Sequence, residues 1–212
     1  MVYTEYSMEQ KKDARPVPRR ARGLQRMASI LAAAEIVFAR MGYEEATTNH
    51  IAAQAGISPG SLYQFFSNKE EIAQALATRY TEELQEAHAI IFSVEAAALP
   101  LPLWLDQIFD TLVAFHLSHP AFHILLNTPI SSRVTSLVRA LPQQMQENFD
   151  LGIERKAPDL SEAQRKLSAL MTVQIFKGTL LLIFQANEEE TKRLVNELKT
   201  VVRRYLEPLL DR

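Results

Sequence analysis

Short polar side chains cluster between residues 47 and 69, around a central glycine. Hydroxyl and ammonium groups can donate to phosphate oxygens, and such contacts fix position without reading sequence. A glutamine amide can pair bidentately with adenine in a major groove. The stretch therefore predicts hydrogen bonding to duplex DNA, with Thr48, Tyr63 and Lys69 on the sugar-phosphate backbone and Gln64 as the main reader of bases.

Two short helical patterns on either side of the glycine must position these groups. Thr48 is expected to cap the first helix, and Ser58, followed by Pro59 in the first helical position, is expected to cap the second. Leu62 and Phe66 lie four residues apart and should face the core. The polar side chains between them then face solvent or a groove, which is the geometry of a helix-turn-helix unit.

Three weaker candidates share these outward faces. Asn49 can reach a phosphate or a base edge, and Ser61 is a weaker base reader than Gln64. Gly60 lies beside Ser61 on the same side of the second helix. Because few long polar side chains are available, phosphate contacts and DNA shape are expected to contribute much of the binding.

A basic segment precedes this unit. Residues 11–40 hold eight basic side chains against two acidic ones, although the whole chain has a formal net charge of −2. A local positive excess on an acidic body fits contact with phosphate. Residues 1–20 have two prolines and almost no apolar periodicity, so they are expected to form a flexible basic arm, in or beside which Arg19, Arg20 and Arg22 contact DNA.

The rest of the chain offers little for catalysis. It has no cysteine, no phosphate-cradling glycine loop and no H-E-x-x-H pair, so we expect neither an enzyme nor a cofactor. His116, His119 and His123 fall at three- and four-residue intervals and raise the alternative of a metal site. Pro120 should break the helix that would align them, so we favour histidines at the edge of the core or in a pocket and predict no metal.

Amphipathic patterns predict helices along most of the chain. Gly42 should end the first helix, and a capping box at Ser67 and Glu70 should open a long one that joins the DNA-binding unit to the rest. The predicted helices cover residues 21–41, 48–55, 58–66, 68–91, 103–118, 120–126, 131–152 with a disturbance at Pro142, 167–184, and a last helix capped by residues 187–190; residues 94–102 and 156–159 are predicted connections.

A set of spaced residues matches a known DNA-binding domain. The matching positions are Glu35-Ile36-Val37-Phe38-Ala39-Arg40-Met41-Gly42-Tyr43, Thr47-Thr48, Ile51-Ala52, Ala55-Gly56, Ser58, Gly60-Ser61-Leu62-Tyr63, Phe66 and Lys69-Glu70. Over residues 24–72 the sequence resembles the TetR family of bacterial transcriptional regulators. Phe65 departs from that pattern, since members often carry a histidine or tyrosine there that can donate to phosphate.

The resemblance implies a homodimer and a small-molecule effector. In that family the last two helices usually pair with a second copy, and two adjacent long helices can form half of a four-helix bundle. The predicted interface residues are Leu180, Phe184, Leu194, Leu198, Val202 and Tyr205. The predicted pocket residues, each an aromatic or polar handle within an apolar helical face, are Trp104, Phe109, His116, Phe149 and Phe176.

The predicted architecture is all-α, with a flexible basic arm at residues 1–20, a three-helix helix-turn-helix DNA-binding domain at 21–75, and a helical effector-binding and dimerisation domain at 76–212. The predicted function is a TetR-like repressor that an effector releases from double-stranded operator DNA. A transcriptional activator and a helical ligand-binding or scaffolding protein with a vestigial DNA head stay open as alternatives. No signal segment or apolar span of ~20 residues is recognised, so a cytoplasmic location without a membrane partner is expected.

Overall fold

Ten helices and no strands make up the regular structure of residues 19–210, the part of the chain that the computed structural model describes, with the side chains of residues 19, 20, 138 and 139 excepted. The all-α prediction is confirmed. The predicted arm falls outside the described residues up to residue 18, and residues 19 and 20 already belong to the first helix. The helices are α1 Arg19–Glu45, α2 Thr48–Gln54, α3 Pro59–Tyr63, α4 Lys69–Ile91, α5 Val94–Ala97, α6 Leu101–Ser118, α7 Pro120–Asn127, α8 Ser132–Lys156, α9 Glu162–Ile183 and α10 Glu188–Leu210.

Side-chain caps fix the starts of several helices, because the first backbone N–H groups of a helix have no partner within it. Ser58 caps α3, as predicted, and Ser161 caps α9. Before α10, the Asn187 side chain accepts from the Glu190 N–H at 3.0 Å while the Glu190 carboxylate accepts from the Asn187 N–H at 3.1 Å. This reciprocal capping box also places three acidic residues in the first turn, where the helix dipole favours them.

Two predicted caps were wrong by one residue. Thr47, not Thr48, caps α2, since its backbone is extended and its hydroxyl accepts from the backbone N–H three residues on at 3.1 Å. Asn68 caps α4 in place of Ser67, and its side chain accepts from the Glu71 N–H at 2.8 Å. In both cases neighbouring residues have similar capping propensity, and the extended backbone of one of them decides which acts.

We call α1–α3 the head and α5–α10 the body; α4 runs from one to the other. The head packs around Phe38, Ile51, Leu62 and Phe66, all of which are buried. The domain boundary predicted at residue 75 lies inside α4. The orientation of the head on the body depends on this helix and on the contact of α1 with α7.

Gly42 produces a kink within α1. Its φ of 76° and ψ of 172° end the regular helix, as predicted, and a short helical segment then continues to Glu45. At the other end of α1, Leu24 and Met27 belong to the apolar pattern of this helix, but they are 62% and 36% exposed. The buried residues of α1 begin at Ile30, because its first turns extend beyond the packed core.

The body buries an aromatic cluster between α6, α8 and α9. Trp104, Phe109, Phe149 and Phe176 are almost fully buried, and neighbouring rings of the cluster lie with centroids 5.8 to 6.3 Å apart. The stretch predicted as a connection at residues 94–102 instead contains the single helical turn of α5, which Ser93 caps. Pro142 lies inside α8, which continues to Lys156.

Gly152 allows α8 to approach the Trp104 ring. A Cβ added at this position would lie 2.3 Å from the Trp104 Cζ2 atom, far inside van der Waals contact. The indole is buried on all sides, so it has little room to move. The close approach of the Trp104 ring to the backbone of α8 therefore requires glycine at this position.

We predict that Gly152→Ala lowers the free energy of unfolding by about 1–3 kcal/mol through overpacking, outweighing the gain in helix propensity of up to about 1 kcal/mol. Chemical denaturation monitored by circular dichroism measures the change. Gly23→Ala is the matched control, since nothing lies within 4 Å of a Cβ there, and it should be neutral or stabilising. Equal effects of the two substitutions would contradict this packing explanation.

Candidate nucleic-acid interface and ligand cavity

The polar side chains of α2 and α3 form one outward surface on the head. Tyr63 is exposed, and its hydroxyl lies 3.0 Å from the Thr48 hydroxyl at the start of α2, so this hydrogen bond connects the two helices at the surface. Asn49, Gly60 and Gln64 are exposed beside them. The structure thus brings five of the predicted DNA-contacting residues together.

The second helix of the motif is shorter than predicted. It ends at Tyr63, and Gln64 is its C-terminal cap residue, with an exposed side chain. Ser61 is only partly exposed, and its hydroxyl lies 2.9 Å from that of Ser58. Phe65 is partly buried and packs against the core, which fits a residue that cannot donate a hydrogen bond. Of the two predicted base readers, Gln64 is the more accessible.

Lys69 makes contacts within the head that its sequence context does not predict. Its ammonium donates to the carbonyl oxygens of Tyr43 at 2.7 Å and Glu44 at 3.0 Å, and lies 4.3 Å from the centroid of the Tyr43 ring. The last carbonyls of α1 lack helical partners and favour a cation. Lys69 therefore fixes the end of α1 to the start of α4. Arg22 is exposed on α1, whereas the side chains of Arg19 and Arg20 lie outside the described residues.

A cavity of about 560 Å³ lies in the body between α4, α6, α7, α8 and α9. His116 and Phe176 contribute to its wall, as predicted. Trp104, Phe109 and Phe149, also predicted as pocket residues, do not line this cavity, because their rings pack against one another in the aromatic cluster. Helical periodicity indicates which side chains face inward, but it cannot distinguish a packed interior from a cavity wall.

Three histidines line this cavity, and burial lowers the pKa of each. For His116 the pKa falls to about 4, first through desolvation and then through the nearby His123 and His119. His88 is buried in the last turn of α4 and was not among the predicted site residues, although it lies one turn from Leu84 on the same inward face. Both ring nitrogens of His88 and the Nδ1 of His116 are buried without a hydrogen-bond partner.

His119 lies between the cavity histidines in sequence but faces the head. It joins α6 to α7, and its Nδ1 lies 2.8 Å from Glu35 of α1 while its Nε2 lies 2.9 Å from Glu83 of α4. Arg79 of α4 completes this His119 cluster, at 2.7 Å from the Glu35 carboxylate. The Glu35 and His119 side chains are 15% and 18% exposed and that of Glu83 is 41% exposed, so head and body are joined by polar groups that are partly shielded from bulk water.

A stripe of exposed apolar side chains runs along α9. Leu167, Leu170, Met171, Leu181 and Leu182 are spaced so that they share one side of the helix. Gln174 and Gly178 lie in the middle of this stripe, and with Leu181 they line the cavity. By length and composition alone α9 also passes as a membrane span, and it is the one helix in the described part of the chain that does; 39% of the relevant window is buried.

Part of the predicted dimer interface is inside the subunit. Leu180, Leu198 and Val202 are buried, because α9 and α10 turn these positions toward α6 and α8. Phe184, Leu194 and Tyr205 are partly buried against the same core. Leu180, Leu198 and Val202 therefore pack inside the subunit, and the outward apolar surface of the pair is the α9 stripe together with Val201, which is 41% exposed.

The described residues contain no group of three or more His, Cys, Asp or Glu side chains that is placed to hold a metal ion. His116, His119 and His123 diverge, with the first and last at the cavity and the middle one in the His119 cluster.

Residues 56–60 read G-x-S-x-G, the spacing of a serine nucleophile elbow. Ser58 instead caps α3, where its hydroxyl accepts from the Ser61 N–H at 3.2 Å.

The lowered pKa of His116 predicts acid sensitivity. Folding moves this pKa from 6.5 to about 4, so between these pH values the unfolded chain binds more protons and stability falls as the pH falls. Within that window, His116 should lower the free energy of unfolding by about 1 kcal/mol for each unit by which the pH falls. Denaturation of wild type and His116→Phe at both ends of the window measures it. The exposed His50→Phe should keep the wild-type dependence; an equal dependence in His116→Phe would contradict the prediction.

Comparison with known proteins agrees with this geometry. Residues 30–76 match the family described as bacterial regulatory proteins of the tetR family, and residues 100–206 match the tetracyclin repressor-like C-terminal domain. The A-factor receptor protein of Streptomyces griseus is 39% identical over 67 residues, which span 32% of this chain but only 24% of that protein.

Solved structures share the fold at low sequence identity. A TetR-like transcriptional regulator from Rhodococcus sp. RHA1 has a TM-score of 0.68 at 21% identity, covering 90% of this chain and 98% of that one. The SmeT–triclosan complex has a TM-score of 0.64 at 19% identity, covering 87% and 91%. Since both halves of the sequence match the family and the fold extends over nearly the whole chain, the protein belongs to the TetR family of bacterial regulatory proteins.

Proposed function

We propose that the protein is a cytoplasmic, homodimeric transcriptional repressor that leaves its operator when a small molecule occupies the body cavity. The observation that supports this proposal is that residues of the α6–α7 corner contact both the cavity and the head. His116 and His123 at the α6–α7 corner line the cavity, and His119 between them contacts Glu35 of the head. A ligand that displaces the corner therefore changes the support of the head.

The head supplies the DNA contacts. α3 enters a major groove, where Gln64 reads a base, while Thr48 and Tyr63 donate to phosphate oxygens and Asn49 reaches a phosphate or base edge. The Thr48–Tyr63 hydrogen bond holds the two hydroxyls in register before DNA arrives. Arg22 on α1, with the basic segment before it, adds sequence-independent attraction.

A second copy packs on the α9 stripe and Val201. These exposed side chains are apolar over several turns, which is unusual for a helix that faces water. Because the middle of the stripe lines the cavity, the partner would also cover part of its opening. The resulting two-fold dimer presents two α3 helices to a pseudo-palindromic operator with half-sites one turn or a multiple apart.

The mechanism is a shift between two conformers. In one, the His119 cluster holds both heads at the operator spacing; in the other, the ligand moves the α6–α7 corner and this contact is lost. Repression is relieved by the differential affinity of the ligand for the two states. The SmeT–triclosan complex, a structural neighbour, shows a ligand bound to a protein of this fold.

We predict that Gln64→Ala weakens operator binding about ten-fold and changes base preference at one position in each half-site, because a bidentate base contact is lost. Fluorescence anisotropy with DNA from the gene's own upstream region, at several salt concentrations, measures both. Gln143→Ala, the same change on the exposed surface of α8, is the control. A wild type with no salt-sensitive preference for any such DNA would support a head that has lost DNA binding.

We predict that His119→Ala uncouples the ligand from DNA. The cavity wall is intact in this variant, so the dissociation constant of a ligand such as triclosan should change little. Saturating ligand should lower operator affinity by a factor that is about ten-fold smaller than in the wild type. The reason is that movement of the α6–α7 corner is no longer transmitted to Glu35.

The same titrations of Lys166→Ala, which removes an exposed ion pair with Glu162 on α9, provide the control. Full operator release by the ligand in His119→Ala would refute this route of coupling. A reporter gene under the operator, tested with and without the protein, separates repression from activation.

A further inference from the structure

The cavity has mostly apolar walls. Its lining includes Leu84, Leu112, Phe122, Met145, Phe176 and Leu180. A volume of about 560 Å³ lies in the range of sites for small organic molecules. Burial of apolar surface is therefore the main source of affinity available to a ligand here.

Within these walls, polar atoms without partners are enclosed. His88 and His116 are 6% and 8% exposed, both line the cavity, and three of their four ring nitrogens are buried without a hydrogen bond. Buried polar groups in native proteins are nearly always paired, because an unsatisfied one costs free energy. A ligand that pairs with these nitrogens recovers that cost.

The unpaired groups are electrically neutral and of both hydrogen-bonding kinds. Desolvation lowers the pKa of both imidazoles, so each ring carries one N–H donor and one acceptor nitrogen at neutral pH. The cavity lining contains one formally charged side chain, Lys177, and that side chain is exposed. A buried ionic group would thus find no buried counter-charge, whereas a hydroxyl can donate and accept through a single oxygen.

We propose, building on the effector role given to this cavity above, that its ligand is an uncharged and largely apolar molecule with a hydroxyl group, which hydrogen-bonds to His88 and His116. The apolar part lies against Phe122, Phe176 and the leucines. A carbonyl or ether oxygen satisfies only a donor and leaves the acceptor nitrogens unpaired. A carboxylate loses its hydration without gaining a buried cation.

Isothermal titration calorimetry of the full chain with three matched probes tests this. The probes are 4-phenylphenol, its methyl ether, and biphenyl-4-carboxylate, all at neutral pH. The phenol should bind at least about ten-fold more tightly than either analogue, as expected for pairing one buried polar group. Equal binding of the ether, tighter binding of the carboxylate, or binding of none of the three would overturn the proposal.

Two variants locate the hydroxyl. In His116→Phe and in His88→Leu, the ratio of the dissociation constant of the ether to that of the phenol should fall toward one. The ether should still bind to both variants, which shows that the cavity is folded. His50→Leu, at an exposed histidine of the head, should keep the wild-type preference. A preference unchanged in both cavity variants would overturn the assignment.

The same titrations separate this inference from the proposed function. They are made without DNA, so they report only on the cavity. If the phenol binds with the histidine dependence and operator affinity does not change, the effector role fails and the ligand class stands. If another ligand releases the operator while the phenol shows no preference over its ether, the ligand class fails and the effector role stands.

Discussion

The contact between Glu35 and His119 is the interaction on which the arrangement of head and body depends. α1 meets α7 at this point, and the two ring nitrogens of His119 each face a carboxylate, one from α1 and one from α4. Arg79 lies 2.7 Å from the Glu35 carboxylate and 3.4 Å from that of Glu83, so its guanidinium faces both acidic groups. A partly buried network of this kind is sensitive to geometry, since separating its members leaves charges without partners. It can therefore hold the head in one orientation and lose that hold after a small displacement.

The body combines a tightly packed region with an open one. In the first, Trp104 lies against α8 so closely that only glycine fits at residue 152, and the surrounding aromatic rings fill the interior. In the second, two buried histidines with unpaired ring nitrogens line a cavity. The packed region gives the body rigidity, whereas unpaired polar atoms in the cavity wall leave free energy that a complementary ligand can recover. In the proposed mechanism, this difference allows a ligand in the cavity to displace the α6–α7 corner without deforming the packed region.

Much of the fold was predictable from local chemistry, and the errors have physical causes. Ser58 and Asn187 each stand before an apolar periodic stretch, and Gly42 is at a position that needs a positive φ, so these boundaries follow from sequence. Thr47 and Thr48 have the same side chain, and only the backbone conformation separates them. Helical periodicity placed Leu198 and Val202 on an apolar face, but it cannot tell whether that face meets the subunit's own core or a second copy. Likewise, helical periodicity could not show that the Lys69 ammonium contacts the last carbonyls of α1, or that His119 contacts Glu35. The partners in each of these contacts are distant in sequence.

The head-to-head distance in the proposed dimer tests the role of the His119 cluster most directly. The chain has no cysteine, so Gln54→Cys, at an exposed position near the end of α2, allows one spin label per subunit for pulsed electron double resonance. In the ligand-free protein with native His119, we expect one narrow distance distribution, because the cluster fixes each head on its body. With His119→Ala in the same labelled background, the distribution should broaden or shift. An identical narrow distribution in both proteins would contradict the claim that this contact sets the position of the DNA-binding head.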